Sequence, residues 1–300
     1  MYFDVYAPIF SDYIINDIYT EDGENGLYLH DGSGTYGSQE AGDGSYRYAG
    51  ANPKKYVCFG SDATSCPADN LYRIIGVFDG QVKLIKYDYA GESTLGTAPV
   101  RIVIPNSSYY KGSLSNIPNY YWSGSSSNDS NTWSSSTLNT DILNGTYLNT
   151  LGSEWTSKIA TTSWKVGGNT YSNITQNATP KIAYTNEIES PVENTTYSAK
   201  IGLMYVSEYG YAASPENWNT TLYNYDNDTN RNNNWMYMGA YEWTISRSSD
   251  YGNDAFSVGR DYVNNVRVYI SRGVRSSFSL ESSVVLSGGS GTSDDPFRVN

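Results

Sequence analysis

Two β-rich runs, Leu71–Phe78 and Gln81–Tyr87, are separated only by Asp79-Gly80. Such a dipeptide readily takes the positive-φ conformations of a type I′ turn, whose twist matches that of paired strands, so LYRIIGVFDGQVKLIKY predicts an antiparallel hairpin. The strongest helical pattern lies farther on. Leu138, Ile142, Leu143, Tyr147, Leu148 and Leu151 fall on one face, with Ser136 or Thr137 placed to cap the start and Gly152 to end the helix. Ser153–Ala160 reads as a second, short helix carrying Trp155 and Ile159 four residues apart. Strand-like pieces at Lys181–Tyr184, Lys200–Ser207, Trp235–Ser246, Val266–Ser271 and Ser277–Leu286 alternate with polar loops. Two central helices among such strands predict an α+β fold with antiparallel sheets and long loops.

Outside these elements the pattern is weaker. Ile9, Tyr13, Ile14 and Ile18 recur near a helical period, with Ser11 and Asp12 as N-cap candidates, and the segment 32–50 is a Gly-rich connection. Ser107–Thr132 is low-complexity Ser/Asn/Tyr/Gly and predicts a long loop. The expected organisation opens with a helical flank and its Gly-rich connection over 1–45, ahead of the remaining residues 46–300.

The hydrophobic share of 38% is low, but it includes 30 tyrosines, and tyrosine brings apolar area to a core edge or a binding face. That aromatic content is far from the signature of disorder. Only 17% of residues are charged and the net charge is −12, which argues against nucleic acid and against anionic lipid, since both need clustered Lys and Arg. No apolar run approaches a membrane span, and MYFDVYAPIF shows no basic-then-apolar export signal. Cys58 and Cys66, the only cysteines, flank a short turn-rich segment. A disulfide is the first reading and points to an extracellular or cell-surface location; a two-cysteine metal site would need two further N or S ligands. The single histidine, His30, lies well away in LYLHDGSG.

Several short motifs occur in a set order: Tyr72-Arg73 on the hairpin, Ser136-Thr137-Leu138-Asn139 at the helix start, Val206-Ser207-Glu208, Trp243-Thr244-Ile245-Ser246-Arg247, and Gly273-Val274-Arg275. As an ordered set over about residues 46–300 they resemble the DUF6273-type domains of surface proteins from gut Firmicutes. The resemblance implies a relative of the C-type-lectin-like and formylglycine-generating-enzyme-like fold, a fixed frame carrying a variable loop face. Ser276 departs from the pattern, which usually has Pro there. Domains of this fold include targets of diversity-generating retroelements, which randomise adenines and so yield Asn, Tyr, Ser, Asp, Gly, Arg, Phe and Val. The stretch 246–275 is full of these residues. The enzymatic chemistry of the wider fold does not carry over, because it uses reactive cysteines and the two here read as a structural bridge.

The binding-face candidates are Tyr251, Asn253, Asp254, Phe256, Tyr262, Asn264, Asn265, Arg267 and Tyr269. Tyrosine supplies rigid contact area while Asn adapts its hydrogen bonds, the economy of antibody paratopes; the plainer alternative is a set of solvated turns. Trp235, Tyr237, Tyr241 and Trp243 alternate, which suits a sugar-stacking platform but better suits one buried face of a strand. Arg73, Glu208, Trp243, Arg247 and Arg275 are expected to be structural, the arginines pairing with carboxylates such as Glu208 or Glu242 or with backbone carbonyls.

Asp226–Asn234 invites a calcium reading, but an EF-hand would need Gly and Glu where Arg231 and Tyr237 stand, so only a looser site remains and no cofactor is called for. A catalytic triad would have to use His30. Glu187 with Glu189, or Glu208 with Glu242, are the carboxylate pairs that a glycoside hydrolase would require. The expected role is adhesin-like binding of a protein or glycan, with a secreted carbohydrate-active enzyme or a fibre subunit as the alternatives.

Overall fold

The computed structural model describes residues 7–16, 19, 26–103, 110–225, 232–259 and 263–300. Its centre is the Asp79-Gly80 hairpin. Asp79 (φ 49°) and Gly80 (φ 74°) both take left-handed conformations, joining Leu71–Phe78 antiparallel to Gln81–Lys86.

The strand Leu71–Phe78 then serves three neighbours. One edge meets Gln81–Lys86; along the other, Tyr72 and Arg73 pair with Tyr56–Cys58, while Gly76 and Val77 pair with Ser45–Tyr48. The switch falls at Gly76, where the ladder is irregular and where an added Cβ would lie 2.1 Å from the Tyr46 carbonyl oxygen. From there the sheet extends to eight strands. Ser45–Tyr48 leads to Leu27–His30, Gln81–Lys86 to Ser277–Ser279, and Tyr56–Cys58 runs parallel to Phe297–Val299, which pairs with Leu286–Gly288. Three smaller antiparallel sheets surround it. They are Glu242–Arg247 with Asp254–Val258 and Asn264–Arg267; Val100–Val103 with Asn116–Tyr121 and Ser271–Arg272; and Thr162–Lys165 with Thr196–Ala199. The fold is thus mixed α/β, with several antiparallel sheets and few helices.

Among the described residues all seven tryptophans and thirteen tyrosines are buried, so aromatic residues supply the core volume that the modest aliphatic content does not. Several of their polar ends are matched, as where Trp122 Nε1 donates to the Thr244 carbonyl (2.9 Å) and Trp243 Nε1 to the Tyr120 carbonyl (2.9 Å).

Four expectations change, and the first is the long loop over Ser107–Thr132, which carries the strand Asn116–Tyr121. The described residues among the first 45 pack into the rest of the fold. Phe10 and Ile14 of the helix Phe10–Asn16 enter the main core, Phe10 N donates to the Val284 carbonyl (2.8 Å), and a 45/46 boundary would cut the hairpin of Leu27–His30 with Ser45–Tyr48. Lys181–Tyr184 is not a strand. Pro180 opens a helix over Pro180–Tyr184, and the Thr179 hydroxyl caps it by accepting from Ile182 N. Lys200–Ser207 is not a continuous strand either, since Val206–Tyr211 is helical.

The central helical region follows the sequence pattern in part. Leu138–Tyr147 winds as a π-helix and continues into Leu148–Ser157, but Gly152 (φ 75°, ψ 163°) breaks the run. Cys58 and Cys66 form a disulfide that closes the turn before the hairpin. Among the described residues no helix is long and apolar enough to cross a membrane.

Candidate functional site

Two regions gather chemistry at the surface. The first is the turn 248–254 with the strand Asn264–Arg267 beside it. Asp254–Val258 is buried along its whole length, which puts Phe256 fully in the core and takes it out of any binding face. Tyr251 is 53% exposed at the tip of the turn, and the Arg267 guanidinium lies 5.5 Å from its ring centroid. Arg267 is held in turn by Asn253 Oδ1 and by Asp254, whose Oδ1 is 3.1 Å away; Asn265 Nδ2 donates to the other carboxylate oxygen of Asp254 at 2.9 Å. Burial pushes the Asp254 carboxyl up, against the opposing pull of Arg267 and Asn265.

Asn264 and Tyr269 are half-buried alongside, and Tyr262 lies outside the described residues. The candidate set therefore yields one connected group, Tyr251, Asn253, Asp254, Asn265 and Arg267.

A residue that the sequence did not single out fixes this turn. Asn131, buried at the end of the low-complexity loop, donates from Nδ2 to the carbonyls of Ser248 (2.7 Å), Tyr251 (3.0 Å) and Asp254 (2.6 Å), while its backbone N–H donates to the Gly252 carbonyl (2.8 Å). Two amide hydrogens shared among three carbonyls leave the turn little freedom. A further tie comes from Tyr171 N to the Asp250 carboxylate (2.7 Å).

The second region is a cleft of about 280 Å³, where the hairpin tip, the ribbon Thr162–Lys165 and the helix start at Val206 converge. Its floor is a buried ion pair, Lys83 Nζ to Glu208 Oε1 at 2.5 Å. The ammonium lies 4.8 Å from the Trp164 ring centroid and 5.0 Å from that of Tyr205. Burial lowers the pKa of Lys83, and Glu208 opposes that shift. At one side Arg47, also buried, bonds Asp43 (2.5 Å) and is covered by the rings of Phe78, Tyr184 and Tyr211. Behind the floor, the π-helical turn Thr185–Glu189 aims Glu187 at the helix start, where it accepts from Val206 N (3.0 Å), Ser207 N (2.9 Å) and the Ser246 hydroxyl.

The carboxylates considered for hydrolysis are engaged in these pairings. Glu187 and Glu208 are held as described, Glu189 accepts from Thr185 Oγ1 (2.8 Å), and Glu242 binds Arg275 Nε and Nη2, both at 2.7 Å. His30 is fully buried between Tyr211 and Trp218 and accepts from Ala41 N at Nδ1 (3.1 Å).

Among the described residues Arg73 reaches neutral oxygens, including the Trp235 carbonyl (3.2 Å) and Asn52 Oδ1 (3.0 Å), and stacks on Tyr56 and Trp235. Arg247 bonds the Val166 carbonyl (3.1 Å) and Glu193 (2.7 Å). Trp235, Tyr237 and Trp243 are core residues, leaving no open platform among them. Most of the loop considered for calcium, 226–231, lies outside the described residues; Asn234 is buried and bonds the Tyr209 carbonyl (2.8 Å).

Comparison with protein-family profiles, with curated proteins and with solved structures gives no match.

Proposed function

We propose that the chain is an extracellular, cell-surface ligand-binding domain of C-type-lectin-like type that engages a protein or glycan through the Tyr251 turn. The observation that carries the reading is the preorganisation of that turn. A large exposed ring is backed by Arg267 and fixed from below by Asn131, so little ordering cost remains to be met on binding. A convex ring-tipped turn suits a macromolecular surface better than a small solute. The disulfide and the low charge support an exported location. The mixed α/β architecture with antiparallel sheets is compatible with the lectin-like frame.

The test is a glycan array together with adhesion to cell surfaces, run with the wild type, Tyr251→Ala and Arg267→Ala. Loss of binding in both variants at unchanged melting temperature supports the reading. Hydrolysis of a polysaccharide with no array or cell binding would refute it. Diversification by a retroelement predicts paralogues that differ mainly at scattered positions within 246–275.

One observation favours a second reading, a subunit of a surface fibre. All four residues of Val100–Val103 are exposed, with Val103 at 74%, and the strand pairs with Asn116–Tyr121 on one edge. If that edge polymerises, Ile102→Lys shifts the protein from assemblies to monomer in size-exclusion chromatography.

A further inference from the structure

We infer that the cleft between the hairpin tip and the ribbon Thr162–Lys165 is a second binding site, separate from the Tyr251 turn, and that it takes a neutral polyhydroxylated ligand of one or two sugar rings. Three observations carry this. First, the charges lining the cleft balance: Asp43, Asp79 and Glu208 face Arg47, Lys83 and Lys165.

Second, the niches that would select an ion are filled from within the protein. An anion would seek the free N–H groups at the helix start, but the Glu187 carboxylate already occupies those of Val206 and Ser207. An organic cation would seek the aromatic walls, but Lys83 lies against Trp164 and Tyr205, and Arg47 against Phe78 and Tyr184. Of the charges in the lining only Asp79 and Lys165 stand outside these pairings among the described residues, one of each sign, so neither charge class is favoured.

Third, the wall holds an uncommitted hydroxyl. Thr162 Oγ1 is shielded from solvent and has no hydrogen-bond partner among the described residues. Buried polar groups are normally paired, so this one gains a partner when a ligand hydroxyl displaces the side chains that cover it.

The remaining requirement is chemical. Donor-only ammonium and guanidinium groups alternate around the cleft with acceptor-only carboxylates, and a hydroxyl serves both kinds of neighbour. A sugar offers several hydroxyls on a small frame whose C–H edges suit aromatic walls. The cleft volume of about 280 Å³ matches a ligand of that size and sits near the lower end of small-molecule pockets.

The experiment is saturation-transfer NMR on the whole chain at millimolar ligand. The panel is glucose, galactose, N-acetylglucosamine, lactose, maltose and cellobiose, with glucuronic acid, glucosamine and inorganic phosphate as charged counterparts. At least one neutral sugar is expected to bind, and more tightly than any charged probe. Thr162→Val should weaken that sugar about tenfold, the loss of one hydrogen bond to the ligand, while leaving the melting temperature unchanged or raised because an unpaired buried hydroxyl is gone. Tyr251→Ala should leave it unaffected, which separates this site from the turn and the two readings from each other. No transfer to any neutral sugar, preference for a charged probe, or full sugar affinity in Thr162→Val would each overturn the inference.

Discussion

Asn131 Nδ2 lies 3.0 Å from the carbonyl oxygen of Tyr251, a residue 120 positions later in the chain. The same nitrogen reaches Ser248 and Asp254, so one buried amide organises the turn that carries the exposed Tyr251 ring.

Replacing Asn131 by Ala should therefore act on both stability and binding. Three carbonyls lose a donor and a small cavity opens, which predicts a loss of about 2–3 kcal/mol in denaturant unfolding. Amide exchange should quicken across 248–254 and change little in the central hairpin. Ligand affinity should fall although the substituted side chain is buried beneath the face and not part of it.

The pair Arg275–Glu242 is 1% and 2% exposed, and Arg275 also donates to the Met236 carbonyl (2.8 Å). Arg275→Met alone leaves a buried carboxylate without its cation and should cost about 3–5 kcal/mol. Combining it with Glu242→Leu removes both charges, and the double variant should recover most of that loss. A double-mutant cycle by urea unfolding reads the difference.

Acid should weaken the fold through Asp43. Burial alone would raise its pKa, but Arg47 and the hydrogen bonds from Ser45 prevail and hold it from the usual 3.8 down to about 2. Because the folded-state value is depressed, the stabilisation is fully present above the unfolded value and is lost as pH falls through the window between the two. The expected size is about 1–2 kcal/mol once solvent screening is allowed for. Asp43→Asn should flatten that part of the stability–pH curve, while leaving its acid limb unchanged would count against the pairing.

Legibility in the sequence followed the range of each interaction. The hairpin was readable because Asp79-Gly80 supplies its own turn conformation, and the break at Gly152 and the close cysteine pair were local for the same reason. Pro180 and Thr179 carried a helix signal that the strand-like composition of Lys181–Tyr184 masked. The cleft left no local trace. Lys83 and Glu208 are 125 residues apart, and a buried lysine cannot be told from a surface one until its strand has been placed. Asn131 was hidden by its setting, one Asn in a Ser/Asn-rich loop. The candidate face was legible as composition only, since Phe256 is buried by the place of its strand between Glu242–Arg247 and Asn264–Arg267, while Tyr251 lies in the turn before that strand.

The proposed function rests on the Tyr251 turn being a preformed contact surface. It is tested most directly by measuring binding to an array or cell-surface ligand that free neutral mono- and disaccharides do not displace, side by side for wild type and Tyr251→Ala, with thermal unfolding of both. An exposed ring contributes little to the fold, so melting should match within error while affinity falls at least tenfold, the loss expected of an aromatic anchor worth about 1.4 kcal/mol or more. Equal affinity in the two proteins would contradict the account.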